Sequence, residues 1–226
     1  MQIFDWPLAS SSWWPLVLKG VTTSLPMAVI SFAIGLVLAV LVAVAKLSHS
    51  AIPKAAGTAF VSIIRGTPLL IQLYLPFYVL PALTGVTVPP LVSAVLALSL
   101  NVAGYAGETI RGSIISVPAG QWEAAHTIGL NRIQSMRRII LPQALRLSVA
   151  PLANTFIGLV KDTSLTSIVM VTEMLRTAQE IATPTYEFTT VYIVAAVIYW
   201  IICTPLSFGQ QRLETYLGRK YDSNAR

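Results

Sequence analysis

The sequence predicts an all-α integral membrane protein of about five transmembrane helices, with a polar helical loop between spans three and four. Three observations carry this. The 226 residues are 55% hydrophobic and 11% charged, with a mean hydropathy of +0.71, whereas an average soluble domain has about 25% charged residues. Apolar runs recur at the length a bilayer demands, roughly 20 residues at 1.5 Å each for a core of about 30 Å. One polar, capped stretch interrupts them, Ser116 to Pro142, SVPAGQWEAAHTIGLNRIQSMRRIILP. The remaining length leaves no space for a large soluble domain.

The spans fall at Leu16 to Ala45, Phe60 to Leu83, Leu91 to Arg111, Val149 to Val171 and Phe188 to Phe208. The expected organisation is a single transmembrane domain over 1–226, with a bundle over 16–208 and the polar loop over 114–148. Before the first span, Trp6, Trp13 and Trp14 and the serines at 10–12 predict an exposed strap whose tryptophans settle at the headgroups. A cleavable signal peptide is not expected, because the first basic residue is Lys19 and the apolar run Val21 to Ala45 is too long. Cys203, the single cysteine, excludes an internal disulfide.

The net charge of +6 does not mark a nucleic-acid binder, since the basic residues are not interleaved with aromatics but lie between apolar runs. It reports topology. With the polar loop in the cytoplasm, Lys46, Lys54, Arg65, Arg111, Arg132, Arg137, Arg138, Arg146, Arg212, Arg219, Lys220 and Arg226 lie at or near the inner surface. Lys19 and Arg176 then lie outside and Lys161 within the membrane, which places the N-terminus outside and the C-terminus inside. Glu173, Glu180 and Glu187 fall in the outer loop, where they offer a docking surface.

The loop reads as two short helices. Ser116 is the expected N-cap of the first, Pro118 suits its opening turn, and Gly129 can adopt the left-handed conformation that ends it. Asn131 and Gln134 match a capping box for the second, in which Ile133, Met136 and Ile140 share a face suited to the bilayer surface and Pro142 provides the stop. Ala124 and Ala125 allow close backbone approach, and Glu123 offers a carboxylate to a partner's Arg or Lys. Capping and amphipathicity alone fit a docking loop and an interfacial connector equally.

The spacing Glu123-Ala124-Ala125, three residues, Gly129, nine residues, Ile139, one residue, Leu141-Pro142 resembles the EAA motif of binding-protein-dependent ABC transporter permeases. Arg65-Gly66-Thr67-Pro68-Leu69-Leu70 with Gln72, Glu108-Thr109-Ile110-Arg111-Gly112, Pro142-Gln143-Ala144 and Lys161-Asp162-Thr163-Ser164-Leu165 look like the permeases of the histidine/glutamine/arginine/cystine importers. The likeness runs from Val21 to Tyr221, with Gly107 standing where that group usually has alanine. It implies a bacterial inner-membrane importer of two permease chains, identical or homologous, two ATPase subunits and an external solute-binding protein. It implies further that Glu123, Ala124, Ala125, Gly129, Leu141 and Pro142 dock on the ATPase. It implies too that the partner ATPases bind ATP and Mg; with no GxxxxGK[ST] loop present, this chain is not expected to supply the ATP site or to be an enzyme itself. It carries no cofactor of its own.

Lys161 and Asp162 lie within span four, where a charge costs roughly 2.5–3.5 kcal/mol on insertion scales and must face protein or water. They and the neighbouring Thr163 and Ser164 are candidates to line a path for an amino acid; Gln72 and Glu108, in the matching stretches, join them. The alternative is an internal ion-pair network with Glu108 or Arg111. Pro68, Pro76 and Pro81 predict kinks in span two and favour its lining the path. Asn101 reads as interhelical packing glue, and His49 and His126 are assigned no metal. An ion channel or ion-coupled secondary amino-acid transporter would also use a buried acid such as Asp162, but would need no ATPase.

Overall fold

In lipid every backbone polar group has to be satisfied within the chain, which leaves helices as the economical solution for so apolar a sequence. The computed structural model describes residues 4–222, with side chains up to residue 217, and among these every regular element is helical. Arg226 and the side chains of Arg219 and Lys220, used above for orientation, lie outside the described residues. Three of the described helices are long and apolar enough to cross a bilayer alone, and the number is up to five where each of two bent pairs is counted as one span.

The first span is longer than expected. α1 (Trp6–Lys19) begins where Asp5 Oδ1 accepts the Leu8 N–H at 2.9 Å, and a π turn at Gly20–Ser24 carries it into α2 (Leu25–Leu47). The predicted strap is therefore helical. Its Ala9 and Leu16 join a core with Met174, Ala178, Val191 and Ile198, while Trp6 and Trp14 stay exposed.

The second span is a broken helix rather than a kinked rod from Phe60 to Leu83. α3 (Ala51–Gly66) meets the segment Leu69–Thr84 at 107°. Pro68 drives its preceding residue out of the helical region, and Thr67 has φ −121° and ψ 144°. Beyond the break, α4 (Leu69–Tyr74), a π turn at Leu75–Val79 and α5 (Leu80–Thr84) lead to Gly85, whose φ of +71° ends the segment.

α6 (Pro90–Ile115) is the central rod. At Gly35 an added Cβ would lie 2.6 Å from Val102, and at Gly104 one would lie 2.5 Å from Ile64. Small residues thus let α2 and α3 close on α6, the way membrane helices gain packing in lipid. Ala28, Ala39, Leu98, Val102, Leu159 and Val160 form the core around this seam.

The loop departs from expectation at three points. Ser116 is the C-cap of α6, its Oγ donating to the Ser113 carbonyl at 2.9 Å, and α7 (Ala119–Thr127) begins after Pro118. Pro142 does not stop the second helix: α8 (Arg132–Ser135), a π turn at Met136–Ile140, α9 (Leu141–Asp162) and a 3₁₀ turn at Thr163–Val169 form one run. The wider π turn accommodates the ring of a proline placed just after it. Its extra residue also rotates the faces, so that Ile133 is 71% exposed whereas Ile140 is fully buried.

The fourth run then bends by 52° into α10 (Met174–Thr185), and α11 (Phe188–Asp222) closes the bundle. Glu173 is not on an exposed docking surface; it is fully buried. Its carboxylate accepts the Leu175 and Arg176 N–H groups at 2.9 and 2.8 Å, the Tyr199 hydroxyl at 3.2 Å and the Ser24 hydroxyl at 3.4 Å. It caps α10 and ties it to the π turn after α1 and to α11.

Candidate functional site

Two features remain for function, a polar cavity at the break in span two and the exposed face of the loop. The cavity, about 330 Å³, opens where Thr67 and Pro68 turn away from α6 and is walled by Asn101 and Tyr105 of α6 and by Thr155 and Asp162 of α9. That volume is the size of a small-molecule site. The sharp turn of the backbone creates the space, and the polar side chains make it fit for a hydrated solute. No hydrogen bond or ion pair engages the Asp162 carboxylate within the described residues.

Of the predicted path residues, the structure brings Asp162 to this wall and sets Gln72 directly behind it. Gln72 is 6% exposed, and its Oε1 accepts Asn101 Nδ2 at 2.9 Å. Thr163 is fully buried and donates to the Val160 carbonyl at 2.7 Å, and Ser164 donates to the Lys161 carbonyl at 2.7 Å. Lys161 is exposed and outside the wall. Glu108 stands apart, paired with Lys46 at 2.6 Å and with Arg111, so the network expected between Lys161 or Asp162 and Glu108 or Arg111 does not form. Asn101 does more than hold helices together, since it bonds across to Gln72 and also lines the cavity. Tyr105 and Thr155 carried no signal in the sequence; only the folded chain brings them to the cavity.

The loop has its own small core and capped helix ends. Val117, Ile140 and Ala144 form a small core beneath it, with Trp122 and Met136 packed on top. Gly129, with φ +80°, ends α7 by donating to the His126 carbonyl at 2.9 Å while the Leu130 N–H reaches the Ala125 carbonyl at 3.1 Å, the reciprocal pair of a Schellman motif. Asn131 and Gln134 form the predicted capping box at 2.9 and 3.0 Å. Ala125 is buried under the turn, whereas Glu123, Ala124, Gly129, Leu141 and Pro142 are exposed. Ile128, 70% exposed, and Ile133 add apolar surface to the loop. His49 Nε2 meets Arg132 Nη1, linking the α2–α3 turn to the loop.

Among the described residues no three His, Cys, Asp or Glu side chains converge as a metal site.

Known proteins resemble this chain in sequence and in fold. The family model of the binding-protein-dependent transport system inner membrane component matches residues 34–218. The L-cystine transport system permease protein TcyB of Bacillus subtilis (strain 168) is 48% identical over 215 residues, 95% of this chain and 92% of that protein. The glutamine transport system permease protein GlnP of Escherichia coli (strain K12) is 35% identical over 215 residues, 93% of this chain and 96% of that one. A crystal structure of an amino acid ABC transporter with histidines matches with a TM-score of 0.87 at 30% identity, over 92% of this chain and 97% of that chain. The inward-facing MetNI methionine ABC transporter shares the fold, with a TM-score of 0.67 at 19% identity over 95% and 99% of the two chains. These matches, on an all-helical membrane fold, show that the chain belongs to the inner membrane components of binding-protein-dependent transport systems.

Proposed function

We propose that this chain is the permease subunit of an ATP-driven importer, forming the path for a polar L-amino acid that an external solute-binding protein delivers. The observation that carries the reading is a single helical run. From the capping box at Asn131 through Ile140 in the loop's small core to Thr155 and Asp162 in the cavity wall, one continuous helical run joins the loop to the cavity. Displacement of the loop therefore moves the cavity wall. Relatives named for cystine and glutamine transport support an amino-acid solute.

The loop, with Glu123, Ala124, Ala125, Gly129, Leu141 and Pro142, docks on a cytoplasmic ATPase, and a second permease chain, identical or similar, completes the path. The partner ATPases hold ATP and Mg. Their closure draws the two loops together and tilts the spans so that the cavity opens outward to the binding protein, and hydrolysis resets it. The N-terminus lies outside and the C-terminus in the cytoplasm, in keeping with Lys46, Lys54, Arg111 and Arg132 near the loop end. Asp162 meets the ammonium of the solute. An ion-driven channel or carrier does not account for the family match over residues 34–218.

The test is co-purification with the ATPase encoded beside it, then uptake of radiolabelled L-cystine or L-glutamine into proteoliposomes. Uptake that needs both ATP inside and loaded binding protein outside is expected. Uptake driven by an ion gradient without ATPase would overturn the reading.

A further inference from the structure

The directions of the hydrogen bonds around Gln72 fix the orientation of the Asn101 amide at the cavity. Gln72 Nε2 lies 2.7 Å from the Ile64 carbonyl oxygen, 3.1 Å from that of Thr67 and 3.0 Å from Thr67 Oγ1. Backbone carbonyls can only accept, and the Thr67 hydroxyl already donates to the Ile63 carbonyl at 2.8 Å, so all three partners require a donor. A reversed amide would press its oxygen against these acceptors in a site almost closed to water, where an unmatched polar group is costly. The amide orientation of Gln72 is thereby set by the break in span two itself.

Gln72 Oε1 must then accept, and the group it meets, at 2.9 Å, is Asn101 Nδ2. This fixes the Asn101 amide in turn: one N–H is spent on Gln72, so Oδ1 and the second N–H remain for the cavity that Asn101 lines. Across the cavity the Thr155 hydroxyl donates to the Pro151 carbonyl at 3.0 Å, which leaves its lone pairs for the cavity. Asp162 adds a carboxylate. Beside the Tyr105 hydroxyl and the second Asn101 N–H, the wall thus offers Asn101 Oδ1, Thr155 Oγ1 and the Asp162 carboxylate as acceptors, the complement of a group with several N–H donors and a positive charge.

We propose that Gln72 is a positioning residue that turns the Asn101 carbonyl oxygen into the cavity, where with Asp162 it seats the ammonium group of the solute. The proposal rests on the reading of the cavity as the solute path. Gln72 does not touch the solute; it converts the backbone carbonyls freed at the break into a fixed polarity one residue away.

The experiment measures binding of the radiolabelled amino acid that the wild-type complex imports to the detergent-purified permease–ATPase complex, with the free amino acid and its N-acetyl derivative as competitors. Acetylation removes the charge and two donors, so the wild type is expected to prefer the free amine. Gln72→Met and Asn101→Leu are each expected to reduce that preference about tenfold, the scale of a hydrogen bond to a charged group, with the complex still assembled. The double variant is expected to match Asn101→Leu alone, because Gln72 acts through Asn101. Additive losses, or an unchanged preference in Asn101→Leu, would overturn the proposal. Asn101→Leu leaves the bonds of the bend in place, so it decides the matter even where Gln72→Met fails to assemble. If Asp162→Asn binds and discriminates as the wild type does, the reading of the cavity as the solute path fails, and the proposal with it.

Discussion

Lys46 Nζ stands 2.6 Å from Glu108 Oε2, and its stem fits there because Gly57 lacks a Cβ, which would lie 2.9 Å from Lys46 Cγ. Arg111 Nε reaches both carboxylate oxygens at 3.1 Å. One acid therefore holds two cations and joins the ends of α2 and α6 beside the base of the loop. Glu108→Gln leaves those cations facing each other and is expected to lower stability by about 1.5–3 kcal/mol. Lys46→Met is expected to do less, since Arg111 still pairs the acid. Thermal unfolding of the purified protein gives the order, and equal shifts would show that the second cation does not matter.

Glu173 makes a second knot at the other end of the bundle. Glu173→Ala removes the cap of α10 and strands the Tyr199 hydroxyl, so a loss of about 2 kcal/mol or more is expected. Tyr199→Phe removes a single bond to the carboxylate and should lose about 1 kcal/mol. The reverse order in the same unfolding assay would place the strength of the knot in the tyrosine.

Asp162→Asn keeps the shape of the cavity wall and removes its charge. Uptake by the reconstituted importer is expected to fall at least about tenfold, with the amount of assembled complex unchanged. Loss of assembly instead would mean that Asp162 serves packing.

Glu123 is exposed on α7 and makes no ion pair among the described residues, so its carboxylate is available to a partner. Glu123→Arg is expected to leave the protein in the membrane, with ATP hydrolysis no longer matched to uptake. A normal ratio of solute imported to ATP hydrolysed would remove Glu123 from the coupling contact.

The seam between α2 and α6 offers a control on packing. Gly35→Leu drives a side chain into Val102 and should cost about 1–3 kcal/mol or more. Gly112→Ala, with nothing within 4 Å of the added Cβ, is expected to leave the unfolding midpoint unchanged or slightly raised. A similar loss in both would remove the seam as the cause, since helix propensity favours both replacements.

By itself the sequence determined what local chemistry can determine: the helical membrane class and its five spans, the left-handed turn at Gly129 and the Asn131–Gln134 capping box. These follow from segment hydropathy and from backbone groups that neighbours in the chain satisfy. It also marked Pro68 and Asp162, because a proline or a charge in a span demands a reason. Only the tertiary structure decided that the Pro68 break opens opposite Asp162, that Glu108 takes Lys46 rather than Lys161, that Glu173 is buried and that Pro142 continues a helix. Each depends on which faces of the helices meet and on how a π turn rotates them. Contacts such as Gly35 on Val102 and Gly104 on Ile64 set those faces, and close packing between distant segments leaves no trace in the hydropathy of either one.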